Sequence, residues 1–297
     1  MKIKKYNYII FVLFFIIVIF ACKKNVTEPE VEPLDGRGGG VIAYSPGDKM
    51  IDLMNADGSG RIRLIDSSRH ASGPSWSPNG DRIAFQARNN TATSIYIMNA
   101  DGNDIIRLTY EANVFDNEPC WTVNDKILFG RGNPAYGNGE IWMVNPDGSD
   151  LHRVGNIAGA TPRSSNDGSK IVFASLSDGD WEIWIMNADG SNPIQITDNQ
   201  FNDWLPSWSP DIDRIAFESD RDGNHEIYTM DINGHNVYNL TNNGYYNGCP
   251  RWSPDGTKIV FESSQSGGFE IYKMATTGSN QVRLTFTSGA YRPDWRP

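Results

Sequence analysis

The sequence predicts an all-β fold: a six-bladed β-propeller of four-stranded antiparallel blades, with the ring closed by the C-terminal strand joining the N-terminal blade. Three observations predict it. A Pro-x-Trp column recurs at intervals of 43 to 45 residues. Within each interval, short runs of consecutive apolar residues alternate with turn chemistry. The first interval lacks its opening strand, and a matching strand stands at the far end of the chain.

The column reads Pro74-Ser75-Trp76, Pro119-Cys120-Trp121, Pro206-Ser207-Trp208, Pro250-Arg251-Trp252 and Pro293-Asp294-Trp295, with Pro162-Arg163-Ser164 as a degenerate copy. Each first strand stops at a turn such as Ser253-Pro254-Asp255-Gly256, because Pro presets φ and Asp and Gly accept turn geometry. A second strand follows, for example Ile83-Ala84-Phe85 or Ile259-Val260-Phe261. The third is Ile95-Tyr96-Ile97-Met98 and its copies. A tight Asn-Ala-Asp-Gly turn, as at Asn99 to Gly102, leads to a fourth strand ending in Leu108-Thr109, Ile196-Thr197, Leu240-Thr241 or Leu284-Thr285. Consecutive apolar positions require both faces of each small sheet to be covered, which radial stacking achieves. Val41 to Tyr44 and Ile51 to Met54 match the second and third strands, and Arg292 to Trp295 supplies their missing first strand, which removes two open edges. Trp76, Trp121, Trp208, Trp252 and Trp295 read as structural core between blades, each worth about 3–5 kcal/mol if cut back to Ala.

Residues 1–21 read as a lipoprotein-type signal peptide: three lysines by Lys5, then an uncharged apolar run from Ile9 to Ala21 that is shorter than the about 20 residues a spanning helix needs. Ile19-Phe20-Ala21-Cys22 resembles the bacterial lipobox, which implies lipidation of Cys22 and a membrane attachment. Lys23 after it carries no inner-membrane retention signal, so outer-membrane placement facing the periplasm is expected. Residues 22–39, rich in Pro, Glu and Gly, form a flexible tether, and residues 40–297 form the propeller. With 36 acidic and 26 basic groups and a net charge of -10, the surface repels phosphate backbones, so nucleic acid is excluded as a partner.

Trp-Ser-Pro-Asp-Gly, Lys-Ile-Val-Phe-Glu-Ser and Glu-Ile-Tyr-x-Met, as they stand between Trp252 and Met274, resemble the WD40-like (PD40) repeat of TolB-type propellers. The resemblance covers residues 40–297. It implies a six-bladed propeller working in the cell envelope as a binding module for another envelope protein. TolB-type chains carry an α/β domain ahead of the propeller, for which only the residues between Cys22 and Gly36 remain. The resemblance therefore implies a propeller lipoprotein lacking that domain rather than a component of the Tol machinery.

Motifs for catalysis are scarce. There is no Gly-x-Ser-x-Gly, no phosphate-cradling loop and no His-Glu-x-x-His. The four histidines, His70, His152, His225 and His235, fall at unrelated repeat positions, so neither a metal nor another cofactor is expected. Asp220 to Glu226 departs from the calcium-loop pattern at His225 and reads as a solvated turn. Cys120 and Cys249 belong to the second and fifth Pro-x-Trp units, opposite each other in a six-fold ring, and read as packed thiols. Paired carboxylates read as turn residues.

The first strands line the channel, so the residues just ahead of each Pro converge on one mouth. Their chemistry varies while the frame repeats, which leaves them free for function. The candidate partner-binding mouth is His70, Phe115, Asp116, Asn117, Glu118, Asp203, Trp204, Tyr246, Asn247, Tyr291 and Arg292. The expected function is a non-catalytic, monomeric scaffold for an envelope protein or peptide. The alternative is a carbohydrate-binding or carbohydrate-active propeller using Asp116, Glu118 and Asp203 with Trp204 and Tyr291.

Overall fold

The computed structural model describes residues 34–36, 39–47, 49–89, 91–132, 139–177 and 179–297. The leader, Cys22 and nearly all of the tether lie outside the described residues.

Blade 1 opens with β1 (Val41–Pro46), β2 (Ile51–Asn55) and β3 (Ile62–Ile65). Blade 2 is β4 (Ala71–Trp76), β5 (Arg82–Arg88), β6 (Thr93–Asn99) and β7 (Ile106–Arg107). Blade 3 is β8 (Asp116–Trp121), β9 (Ile127–Arg131), β10 (Glu140–Val144) and β11 (His152–Ala158). Blade 4 is β12 (Ala160–Ser164), β13 (Lys170–Ser175), β14 (Glu182–Asn187) and β15 (Ile194–Gln195). Blade 5 is β16 (Asp203–Trp208), β17 (Arg214–Ser219), β18 (Glu226–Asp231) and β19 (Tyr238–Asn239). Blade 6 is β20 (Asn247–Trp252), β21 (Lys258–Ser263), β22 (Glu270–Ala275) and β23 (Val282–Arg283). The last strand, β24 (Ala290–Trp295), pairs antiparallel with β1, with Trp295 opposite Ile42 and Ala290 opposite Pro46, and so completes blade 1.

The second strand of every blade carries one fully buried ring at the same position: Tyr44, Phe85, Phe129, Phe173, Phe217 and Phe261. Each such ring contributes about 1.5–3 kcal/mol by leaving water. The apolar clusters straddle neighbouring blades. Ile95 and Leu108 of blade 2 pack with Trp121 and Phe129 of blade 3, and Ile271 and Leu284 of blade 6 pack with Ile42 and Trp295 of blade 1. This is the double-sided covering that the consecutive apolar runs require.

In blades 2, 4, 5 and 6 the fourth strand is shorter than the sequence suggests, because the Leu-Thr or Ile-Thr pair leaves the ladder. Leu108 N–H still donates to Ile95 O at 2.8 Å, but Ile95 N–H turns to the Thr109 hydroxyl at 3.0 Å. Thr197, Thr241 and Thr285 do the same for Ile183, Ile227 and Ile271. In these four blades a threonine side chain replaces a backbone carbonyl where the chain swings toward the next blade. The Trp column lies at the far end of the inner strands, with Trp76, Trp121, Trp208 and Trp295 buried and Trp252 half-buried. Trp208 Nε1 donates to Arg163 O at 3.1 Å, and Trp295 Nε1 to Arg251 O at 3.3 Å, tying each blade to the one before it.

Candidate functional site

Each inner strand from β4 onward shifts register by an extra residue at its Pro, for example between Asn117 and Cys120 and between Trp204 and Ser207. Proline suits this position because a bulge has no ladder partner for an N–H. The residue ahead of it takes a left-handed φ in all six blades: Gly73 at 63°, Glu118 and Thr161 at 52°, Leu205 and Cys249 at 50°, Arg292 at 49°. For a residue with a Cβ this costs roughly 1–3 kcal/mol, so the surroundings must hold it. The holding group is visible in three blades. Ser45 Oγ accepts Gly73 N–H at 3.0 Å, Gln86 Oε1 accepts Glu118 N–H at 2.7 Å, and Glu262 Oε2 accepts Arg292 N–H at 2.9 Å. In each case a polar side chain on the second strand of one blade catches the bulge of the next.

Four of these bulge residues, Glu118, Thr161, Leu205 and Arg292, line a cavity of about 840 Å³ at the mouth. Of the eleven residues expected there, His70, Phe115, Asn117, Glu118, Trp204, Tyr246 and Arg292 line it. Asp116, Asp203, Asn247 and Tyr291 do not. Asp116 accepts Arg131 Nε at 2.7 Å and Nη2 at 3.0 Å inside blade 3. Asp203, fully buried, accepts Arg221 Nη2 and Asn199 Nδ2, both at 2.9 Å. Asn247, also buried, donates to Glu226 at 2.8 Å. Tyr291 leans on Phe269 with ring centres 5.1 Å apart. Asp116, Asp203 and Asn247 each begin an inner strand; Asp116 and Asp203 turn back to their own blades, and Asn247 reaches across to Glu226 of blade 5.

Glu118 accepts Arg292 Nε at 2.8 Å and Arg163 Nη2 at 3.2 Å. Burial opposes its ionisation, yet the guanidinium groups of Arg292, Arg163 and Arg251 outweigh that cost and hold its carboxyl below the usual range. Glu118 is therefore a carboxylate, engaged on both oxygens.

A cluster beside the cavity was not legible in the sequence. Glu218, fully buried on β17, accepts the Tyr246 hydroxyl at 2.7 Å and stands 2.7 Å from His225 Nδ1 through the same oxygen, Oε1. The His225 ring is stacked between Trp204 (5.4 Å) and Tyr246 (4.7 Å). Its bond to Glu218 raises the imidazole above its ordinary range, against the opposing effect of burial. Burial and the Glu218 charge push the Tyr246 phenol upward. Gly248 makes room: a Cβ there would stand 2.2 Å from Glu218 Oε2. The rings form one continuous row, Trp181, Trp204, His225, Tyr246, Phe269 and Tyr291, along blades 4 to 6 and onto β24.

The solvated-turn reading of Asp220 to Glu226 holds for the turn at residues 221–224, where Asp222 and Gly223 are exposed, and is corrected at its ends. Glu226 is buried and accepts the backbone N–H of Asn243 at 2.9 Å, Arg221 pairs with Asp203, and Asp222 accepts the Tyr228 hydroxyl. Among the described residues no group of three or more His, Cys, Asp or Glu is placed to hold a metal ion. The exposed turn acids match expectation: Asp101, Asp147 and Asp189 each accept the N–H two residues on, at 2.9–3.0 Å. Cys120 and Cys249 are free, buried thiols.

Residues 136–297, more than half of the chain, match the family described as PD40, the TolB beta propeller domain. The chain belongs to the TolB β-propeller family. Among solved structures this TolB-type propeller is similar to TolB from Acinetobacter baumannii, with a TM-score of 0.75 at 22% identity over 87% of this chain and 67% of that one. A protein assigned as TolB from Agrobacterium tumefaciens gives 0.70 at 18% identity, over 84% and 90%. An oligogalacturonate lyase in complex with manganese gives 0.54 at 14%, over 80% and 70%. At these identities the likeness is one of fold. No curated protein matches the sequence.

Proposed function

We propose that this chain is a non-catalytic cell-envelope lipoprotein, anchored through Cys22 in the outer membrane facing the periplasm, whose propeller holds a protein or peptide partner at the mouth lined by Glu118, Trp204 and Tyr246. The observation that carries this reading is the mouth itself. A cavity of about 840 Å³ is lined by the strained bulge residues Glu118, Thr161, Leu205 and Arg292 and walled by stacked aromatic faces, the wall composition that holds ligands in place. Membership of the TolB propeller family supports a protein-binding role.

The carbohydrate-active alternative draws on Asp116, Glu118 and Asp203. Each is bound by arginine, and Glu118 is held below the range that a general acid needs. This geometry favours binding over glycoside hydrolysis.

The test is capture of crosslinked partners from intact envelopes. A discrete adduct is expected with the native chain and is lost with Phe115→Ala combined with Trp204→Ala, while Ile194→Ala on an outer strand keeps it. An adduct indifferent to the mouth changes rejects the mouth as the site. Metabolic labelling with a fatty acid is expected to mark the native chain and not Cys22→Ser; equal labelling rejects the anchor.

A further inference from the structure

We infer that the mouth selects an acidic peptide segment, an inference that rests on the peptide-holding reading above and specifies its chemistry. The cavity wall is electrostatically divided. On the side of blades 4 to 6 stand the faces of Trp181, Trp204 and Tyr246. On the side of blades 1 and 2 stand Lys49, His70 and Arg88, all exposed. Backbone bonds fix these three together: Lys49 O accepts Ala71 N–H at 3.2 Å, and His70 O accepts Arg88 N–H at 3.1 Å.

The charge count at the cavity opposes that of the chain. The protein as a whole carries -10, yet among the described residues Lys49, Arg88 and Arg292 line the cavity against the single carboxylate of Glu118. Glu118 is consumed by Arg292 and Arg163. Among the described residues the Lys49, His70 and Arg88 side chains engage no carboxylate. A cationic sector retained on an acidic propeller attracts and orients an anionic partner while the rest of the surface repels it.

The aromatic side narrows the ligand further. Trp204 Nε1 and Thr161 Oγ1, on two residues that line the cavity, are buried without a hydrogen-bond partner. Neither atom is exposed to the cavity, so on this side a ligand meets the ring faces of Trp181, Trp204 and Tyr246. An extended segment placing Asp or Glu on the Lys49–Arg88 side and an aromatic or aliphatic residue on the Trp204 side satisfies both walls.

A random heptapeptide display library selected on the full-length protein tests this. The expected result is an enrichment of Asp plus Glu of about twofold or more over the unselected library. Recovered peptides should bind about tenfold more weakly between about 0.05 and 0.3 M salt, as screening weakens exposed charges. Lys49→Glu combined with Arg88→Glu, two exposed changes that leave thermal unfolding in place, should abolish the acidic enrichment. Peptides without acidic bias, or a bias the double variant retains, overturn the acidic preference and leave the peptide-holding reading standing. Recovery of no peptide, with or without binding of an acidic oligosaccharide such as trigalacturonate, overturns both.

Discussion

The side-chain carbonyl of Gln86 accepts the backbone N–H of Glu118 at 2.7 Å, across the boundary between blades 2 and 3. It satisfies a donor that the bulge has removed from the ladder, and it does so for a residue held at a φ of 52°. The same relation joins Ser45 to Gly73 and Glu262 to Arg292. Blade stacking and the orientation of the mouth residues are thus one structural device.

Gln86→Leu leaves the Glu118 N–H buried and unpaired beside a strained backbone, and is expected to cost about 1–3 kcal/mol by chemical denaturation. Ser45→Ala, which releases the unstrained Gly73, should cost less. Equal costs would show that the strain at Glu118 is not held by this bond.

His225 sets a pH dependence. Its folded pKa is raised by Glu218, so the stability it contributes is complete below the ordinary histidine value of about 6.5 and is lost as pH rises through the folded value. Thermal melts across that window should show the native protein losing stability with rising pH. His225→Phe, which keeps the stack between Trp204 and Tyr246, should flatten that loss.

Glu182 acts in a lower window. Burial raises its carboxyl to about 7, despite bonds from Thr197 and the Asn199 N–H. Glu270, the equivalent residue in blade 6, is held below the usual range, because the Thr285 hydroxyl, the Ser288 N–H and Arg283 at 2.7 Å together outweigh burial. With the folded value above the unfolded one, Glu182 costs nothing below the ordinary glutamate range, and its penalty grows until pH passes about 7. Glu182→Gln should therefore stabilise the protein at about pH 8 by on the order of 1–3 kcal/mol, and leave it unchanged at about pH 4.

Gly248→Ala forces a Cβ into the place of Glu218 Oε2. Its expected signature is a lowered His225 pKa by NMR titration, together with a loss of stability of about 1–3 kcal/mol from overpacking. An unmoved histidine would separate Glu218 from the stack.

Much of the architecture was readable because the fold dictates it: the Pro-x-Trp column, one buried ring per second strand and the strand missing from blade 1 are repeated six times or placed by closure. The mouth was readable only in part. Counting back from each Pro finds the residues at and beside the bulge, so Glu118, Trp204 and Arg292 reach the cavity. One position further back the alternation of a strand turns Asp116 and Asp203 to their own blades and Asn247 to Glu226 of the blade before it, away from the cavity. Glu218, His225 and Tyr246 come from a strand, a hairpin and an inter-blade loop, and no spacing within a repeat reports such a meeting. The one available signal was a charged residue inside an apolar run, Phe217-Glu218-Ser219 and Phe261-Glu262-Ser263, where blade 2 has Gln86 and the others have Ser45, Gly130 or Ala174.

The proposed function puts the partner on the Glu118 side of the channel. Its most direct test is a photo-crosslinking amino acid placed in turn at Phe115 in the mouth, at Asn166 beside the Trp column and at Ile194 on an outer strand, with adducts mapped by mass spectrometry. A partner adduct is expected from Phe115 and none from the other two. An adduct from Asn166 or Ile194 with none from Phe115 would contradict it.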